Sequence, residues 1–230
     1  MKTIVKNGML CTESGVYEAD ILIENGVIRE IGTGLAEHES KLGSADAEIE
    51  IVDASGKYVL PGAVDIHTHM DLDVGIARVI DDFYTGTIAA ACGGTTSIVD
   101  HMAFGPKDCS LWHQVREYHK LADGNAVVDY GFHGVFQHVN PQVLEEMGEI
   151  AEKEGITSFK VYMTYGYGLN DKELMQILTQ AKKDGILIAS HCENDGMVNY
   201  YREKFVKEGH TQPRYQPLSR PAETCSNILP

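Results

Sequence analysis

Five short apolar runs recur through the later part of this chain at intervals near thirty residues, and that rhythm restricts the possible folds more than any other feature. The runs are AVDIHTH (63–69), TTSIVDH (95–101), AVVDYGFHG (126–134), TSFKVYM (157–163) and ILIASH (186–191). Measured between Val64, Ser97, Val128, Phe159 and Leu187, the spacings are 33, 31, 31 and 28 residues. Each interval holds room for one helix. The clearest is NDKELMQILTQAKKDG, which places Asn170 as N-cap and Glu173 at the third helical position of a capping box. Leu174, Ile177, Leu178 and Ala181 fall on one apolar stripe, and Gly185 stands where a helix would stop. Strands joined by connections of this length are parallel, with right-handed crossovers.

Two architectures satisfy that pattern: a doubly wound open sheet and a (β/α)8 barrel. A nucleotide-binding open sheet carries a glycine-rich loop after its first strand. Here that strand runs into His67-Thr68-His69 instead. The CGGTT segment (92–96) joins a helix to a strand, the wrong order for a phosphate loop, and reads as a helix stop. A closed barrel needs eight units over about 250 residues, and five are visible. Either the sheet is open or the sequence is part of a longer chain. Residues 1–60 follow another pattern, with short strands and an Asn25-Gly26 hairpin signal inside ADILIENGVIREIG. YVLPG (58–62) closes this region. The expected organisation is a small β domain over 1–60 and a strand–helix domain over 61–230.

Acidic residues outnumber basic ones, 34 to 19, for a net charge of −15. Such a surface repels phosphate backbones and anionic lipid, which argues against nucleic acid or membrane partners. No apolar run approaches the roughly 20 residues of a membrane span, and MKTIVKNGML has no signal-peptide core; a cytoplasmic location is expected. The five cysteines form no CxxC pair and read as small buried hydrophobes in a reducing compartment.

His67 and His69 are two residues apart at the end of a strand, so they share a face. In strand–helix folds of the barrel type that end carries the chemistry, and two imidazoles with a common aim suit a divalent metal such as zinc. Taken alone, an HxH pair is equally compatible with polar or core histidines. His191 ends the fifth run in IASHCEN and adds a third imidazole at the same rim. Lys160 sits inside SFKVYM, an otherwise apolar strand. It is either a lysine snorkelling from a strand edge or a desolvated amine of lowered pKa. In the second case it can react with carbon dioxide, giving a carbamate whose two oxygens bridge a pair of metals. Asp65 flanks the histidines and is expected to play a structural or supporting part rather than to bind a metal directly. Tyr162 shares the Lys160 face and is a candidate pocket-lining residue. His101 and His133 end their strands and either reach the site or serve as hydrogen-bonded structural histidines, the second reading being preferred, and Trp112, Tyr200 and Tyr201 read as packing residues.

The segments PGAVDIHTH, SFKVYMTY and ASHCEND resemble the metal motifs of the cyclic amidohydrolases, which include dihydropyrimidinases, hydantoinases and allantoinases. Residues 73–106 are most similar to the phenylhydantoinase branch, and the likeness continues through PLSRPAE at 217–223. The resemblance implies an α/β chain with a (β/α)8 TIM-type barrel, its first five β-α units present and a small β-sandwich domain before them. It implies a hydrolase that opens the amide bond of cyclic ureides to N-carbamoyl amino acids through a hydroxide bridging two metals. His67 and His69 would hold one divalent ion, carbamylated Lys160 would bridge, and His191 would hold the second, with Zn2+ the expected metal. Tyr165 would contact the substrate carbonyl. A homotetramer acting on a small-molecule ureide is implied. The family's sixth-strand histidine and eighth-strand catalytic aspartate have no counterpart here; the aspartate is expected beyond residue 230. The sequence therefore reads as the N-terminal half of a longer enzyme, inactive by itself. The alternatives are an allantoinase-like amidohydrolase and a non-catalytic scaffold relative of the same fold.

Overall fold

Strand β1 (Lys2–Thr12) runs through the middle of a five-stranded sheet that organises the first of two units, Met1–Gly62. The computed structural model describes residues 1–42, 49–103 and 105–226. Strand β2 (Gly15–Glu24) pairs antiparallel with β1, and β3 (Val27–Gly32) pairs antiparallel with β2. Asn25 and Gly26 link these two strands with φ of 51° and 78°. Positive φ at both central residues is what a type I′ hairpin requires, and it suits asparagine and glycine. Helix α1 (Leu35–Leu42) follows. Then β4 (Ile49–Asp53) and β5 (Tyr58–Val59) both pair parallel to β1. Asp20 is buried and accepts from the backbone N–H of Asn7 (2.9 Å) and of Leu35 (3.0 Å), so one carboxylate satisfies an orphan donor at the start of α1. A second sheet that would complete a sandwich is not among the described residues.

The second unit, Ala63–Pro230, carries the thirty-residue rhythm into three dimensions. Its elements alternate: β6 (Ala63–Thr68), α2 (Phe83–Cys92), β7 (Thr95–His101), α3 (Leu111–Ala122), β8 (Asp129–Val135), α4 (Pro141–Glu154), β9 (Ser158–Tyr162), α5 (Asp171–Asp184), β10 (Leu187–His191) and α6 (Asp195–Lys207). Two short 3-10 turns, Pro213–Tyr215 and Pro217–Ser219, and a one-turn helix α7 (Glu223–Ser226) complete it. The strands lie in the order β10-β9-β8-β7-β6, every pair parallel. Spatial order follows chain order without reversal. A doubly wound sheet reverses at a switch point, so this is the singly wound arrangement of a TIM-type barrel.

Helix α5 forms as its sequence directs. Asn170 Oδ1 accepts from the Glu173 N–H (3.1 Å), Glu173 Oε2 accepts from the Asn170 N–H (2.9 Å), and Gly185 ends the helix with φ 71°. Ile177 and Ala181 are buried and Leu174 packs against the core, whereas Leu178 lies at the margin of the stripe and is exposed. Strand β8 begins at Asp129 rather than Ala126. The preceding residues are held elsewhere: Ala126 N–H bonds back to Ala122 O, and Val127 N–H donates to Thr87 Oγ1. The core lies between the sheet and its helices, with Phe83, Ile98, Phe132, Met147, Phe159 and Ile177 fully or nearly fully buried. Each such side chain contributes about 1.5–3 kcal/mol. Gly134 is part of that packing, because a Cβ there would stand 2.1 Å from the Phe159 ring. No described helix is long and apolar enough to cross a membrane.

Candidate active site

Strand pleating decides where Lys160 goes. Phe159 and Val161 belong to the core beneath the helices, so the period of two turns Lys160 to the opposite face, away from the helices. It is 8% exposed. No carboxylate lies within ion-pair distance of its ammonium among the described residues. Its Nζ stands 5.5 Å from the centroid of Tyr162, two residues along on the same face. Burial lowers the pKa of this amine, because the charged form loses hydration.

His67 and His69 stand at the end of β6 with ring centroids 5.2 Å apart. A third imidazole joins them. His101, at the end of β7, lies 4.3 Å from His67 and 5.2 Å from His69. It also stacks on His133 of β8 at 4.6 Å, the two being register partners. His133 is hydrogen-bonded, to Ser158 Oγ and to Ile66 O. His101 departs from the structural reading, since its buried Nδ1 has no partner, and the same is true of His69 Nδ1. Burial, and then the neighbouring positive groups, lower the pKa of all three clustered rings. The Lys160 charge contributes at each ring, and His101 falls to about 3.

The histidine strand is held from below. Asp100, fully buried on β7, accepts from Thr68 Oγ1 (2.7 Å) and the Met70 N–H (2.8 Å). These bonds fix the backbone on both sides of His69. Burial outweighs the bonds and raises the Asp100 carboxyl to about 6. Asp65 accepts from the His67 N–H (3.0 Å).

His191 lies on the other side of the rim. Its register partner is Tyr162, whose ring stacks near it at 6.0 Å, so Tyr162 neighbours both Lys160 and His191. Tyr165 OH is 3.4 Å from His191 Nε2. Tyr165 adopts φ 73°, a left-handed backbone costing a residue with a Cβ about 1–2 kcal/mol. The β9–α5 loop holds this tyrosine over the rim despite that cost. The structure thus gathers His67, His69 and His101 into one ring cluster within electrostatic reach of Lys160. It places His191 with Tyr165 and gives His191 no ring contact with that cluster.

Among the described residues no three His, Cys, Asp or Glu side chains are arranged to hold a metal ion. The donor chemistry fits one nonetheless. Two imidazole nitrogens are buried without partners, and a desolvated amine with no competing anion lies within electrostatic reach of both rings. A cation held by these nitrogens would satisfy the first, and an anionic form of the lysine would remove the second cost.

The amidohydrolase family model matches residues 58–223. The chain belongs to the amidohydrolase family. A D-phenylhydantoinase from Escherichia coli O1:K1 is 48% identical over 223 residues, covering 97% of this chain and 46% of that protein. A crystal structure of a D-hydantoinase superposes with TM-score 0.90 at 40% identity, over 99% of this chain and 48% of the other. The dihydropyrimidinase from Brevibacillus agri superposes with TM-score 0.89 at 39% identity, again over 99% and 48%. This amidohydrolase chain spans about half the length of the relatives it matches. These neighbours confirm the TIM-type fold read from the strand order.

Sequence reasoning ranked a place at the site second for His101 and missed Asp100, Glu193 and Arg220 as contributors to the rim. A signal existed for His101, which ends its run at the same rim as His67. Nothing local marks Asp100 or Arg220, whose partners are distant in sequence; Glu193 lies only two residues past His191, but the Arg220 that anchors it is 27 residues away.

Proposed function

We propose that this chain carries the metal-holding side of an active site that hydrolyses a ring amide C–N bond in cyclic ureides, hydantoins or dihydropyrimidines, giving N-carbamoyl amino acids. The observation that carries this reading is Lys160: a buried amine without a carboxylate partner, whose charge reaches three imidazoles at a strand rim. The names of the relatives, D-phenylhydantoinase, D-hydantoinase and dihydropyrimidinase, support the substrate class.

In this reading His67 and His69 would hold one divalent ion, His191 would hold the second, and Lys160, as its carbamate, would supply an anionic ligand to both. Nitrogen donors of this kind suit zinc. Carbamate formation joins the neutral amine nitrogen to the carbon of carbon dioxide and releases the amine's proton to water. An anionic oxygen ligand then replaces an uncompensated ammonium, and the low basicity of the buried amine favours the reactive neutral form. When bound, the metal pair supplies Lewis acidity and a water of lowered pKa. The depressed basicity of His67 and His69 keeps both rings neutral near pH 7, the state that ligates. Tyr165 donates its hydroxyl to the substrate carbonyl oxygen and steadies the negative charge that develops there. The proton lost by the water must reach the leaving ring nitrogen, and the resemblance assigns that transfer to the aspartate of the family's eighth strand. On the resemblance alone, the reading extends to a cytoplasmic homotetramer.

The test is metal analysis of the whole protein with a hydrolysis screen of five- and six-membered cyclic ureides, allantoin included. Bound divalent metal and turnover of hydantoins or dihydrouracil are expected. A protein that binds no metal and leaves these rings intact would overturn the reading.

A further inference from the structure

Two residues past β10, Glu193 is buried, and its carboxylate meets His191 Nε2 at 2.7 Å. That carboxylate is held from a remote part of the chain. Arg220 Nε lies 3.1 Å from Glu193 Oε1 and 3.3 Å from Oε2. The same guanidinium stands 5.7 Å from the ring of Tyr165, whose hydroxyl also faces His191 Nε2. Arg220 is fixed in turn. Its Nη1 donates to Ser219 Oγ (3.3 Å), and the buried Ser219 donates to Gln216 O (2.7 Å). A backbone bond from Asn194 N–H to Thr224 O (2.8 Å) ties the same returning segment to the end of β10. The PLSRPAE stretch at 217–223 thus delivers one guanidinium to the carboxylate beside His191.

We propose that Glu193, anchored by Arg220, is a positioning residue that fixes the proton of His191 on Nε2, leaves Nδ1 as the nitrogen offered to a cation, and seats Tyr165 against the same ring. This deepens the proposed function and rests on it, since it concerns the ring assigned to the second metal. The physical reason is that a neutral imidazole has one N–H. A carboxylate acceptor at Nε2 draws that hydrogen to itself and exposes the lone pair of the other nitrogen. Arg220 offsets the charge of a carboxylate taken out of water, which alone would be costly to bury. A chain from Arg220 through Glu193 to His191 orients a ring that β10 delivers but does not aim.

The experiment begins with the whole protein stripped of metal. Nitrogen-15 spectra of labelled histidine, with His191 assigned by loss of its signals in His191→Asn, should show hydrogen on Nε2; hydrogen on Nδ1 overturns the proposal. Zinc titration against a competing chelator then compares wild type with Glu193→Gln, Arg220→Gln and the charge-keeping Arg220→Lys. Affinity for the second equivalent should fall roughly 10–100-fold in the first two and recover in Arg220→Lys. The first equivalent should be unchanged. If all three variants bind both equivalents like wild type, the pair merely ties down the 217–226 segment and the proposal fails. A wild type that takes up no zinc is a different outcome, because it removes the metal reading itself while the tautomer spectrum still judges Glu193.

Discussion

The two sides of the strand rim are built on opposite principles. On the β6–β7 side, His67, His69 and His101 lie ring against ring, two of their nitrogens have no partner, and the Lys160 ammonium stands nearby without an anion. On the β10 side, His191 Nε2, Glu193 and Arg220 form a connected chain of charge-assisted hydrogen bonds. The first side carries costs that the described residues do not compensate, while the second is preorganised by the protein. Polar groups left unpaired in a well-packed unit mark a place where something other than protein completes the structure.

Replacing Lys160 should break that contrast most. Lys160→Met is expected to lower kcat/KM beyond the roughly 10–100-fold typical for loss of an outer partner of a metal ligand, with loss of bound metal. It should also stabilise the metal-free protein by about 1 kcal/mol or more, because an uncompensated buried charge disappears. Denaturation of the stripped protein checks the second half, and a loss of stability would show that Lys160 is already compensated. Tyr165→Phe tests the opposite side. On the proposed function, in which Tyr165 donates to the developing oxyanion, the change should cut kcat roughly 10²–10³-fold, with metal content and melting temperature unchanged.

Asp100 gives the contrast a pH dependence. Its carboxyl titrates near 3.8 when unfolded and at about 6 when folded. The folded state holds the extra proton between those values, so this group's contribution to stability should fall as pH rises through that window. The change is at most about 3 kcal/mol. Asp100→Asn should flatten that slope in urea unfolding of the metal-free protein, and an unaltered slope would place the titration elsewhere. The smallest effect belongs to a site remote from the rim. Asn170→Ala removes the α5 cap and should cost about 1 kcal/mol of stability while leaving metal content untouched.

The architecture was largely legible because it rests on periodicities. A thirty-residue strand–helix rhythm implies parallel strands, the Asn25-Gly26 pair implies a hairpin, and the Asn170–Glu173 pair implies a helix start. All three are local, and all three appear. The choice between open sheet and barrel was not local. It became visible in the unreversed strand order, since each strand's neighbour depends on crossovers that span whole helices. The start of β8 shifted for a similar reason, as Thr87, far back in α2, takes the Val127 N–H.

What the sequence alone determined is which side chains stand at strand ends and which way alternate residues point, because pleating has a fixed period of two. That was enough to put His67 beside His69 and to turn Lys160 away from the helix-covered core. Only the tertiary structure decided that His101 completes the ring cluster, that Asp100 braces Thr68 and Met70, and that Arg220 reaches Glu193 across 27 residues of chain. Those contacts depend on distances between separate strands and on the path of a returning loop, and no local pattern of residues encodes either.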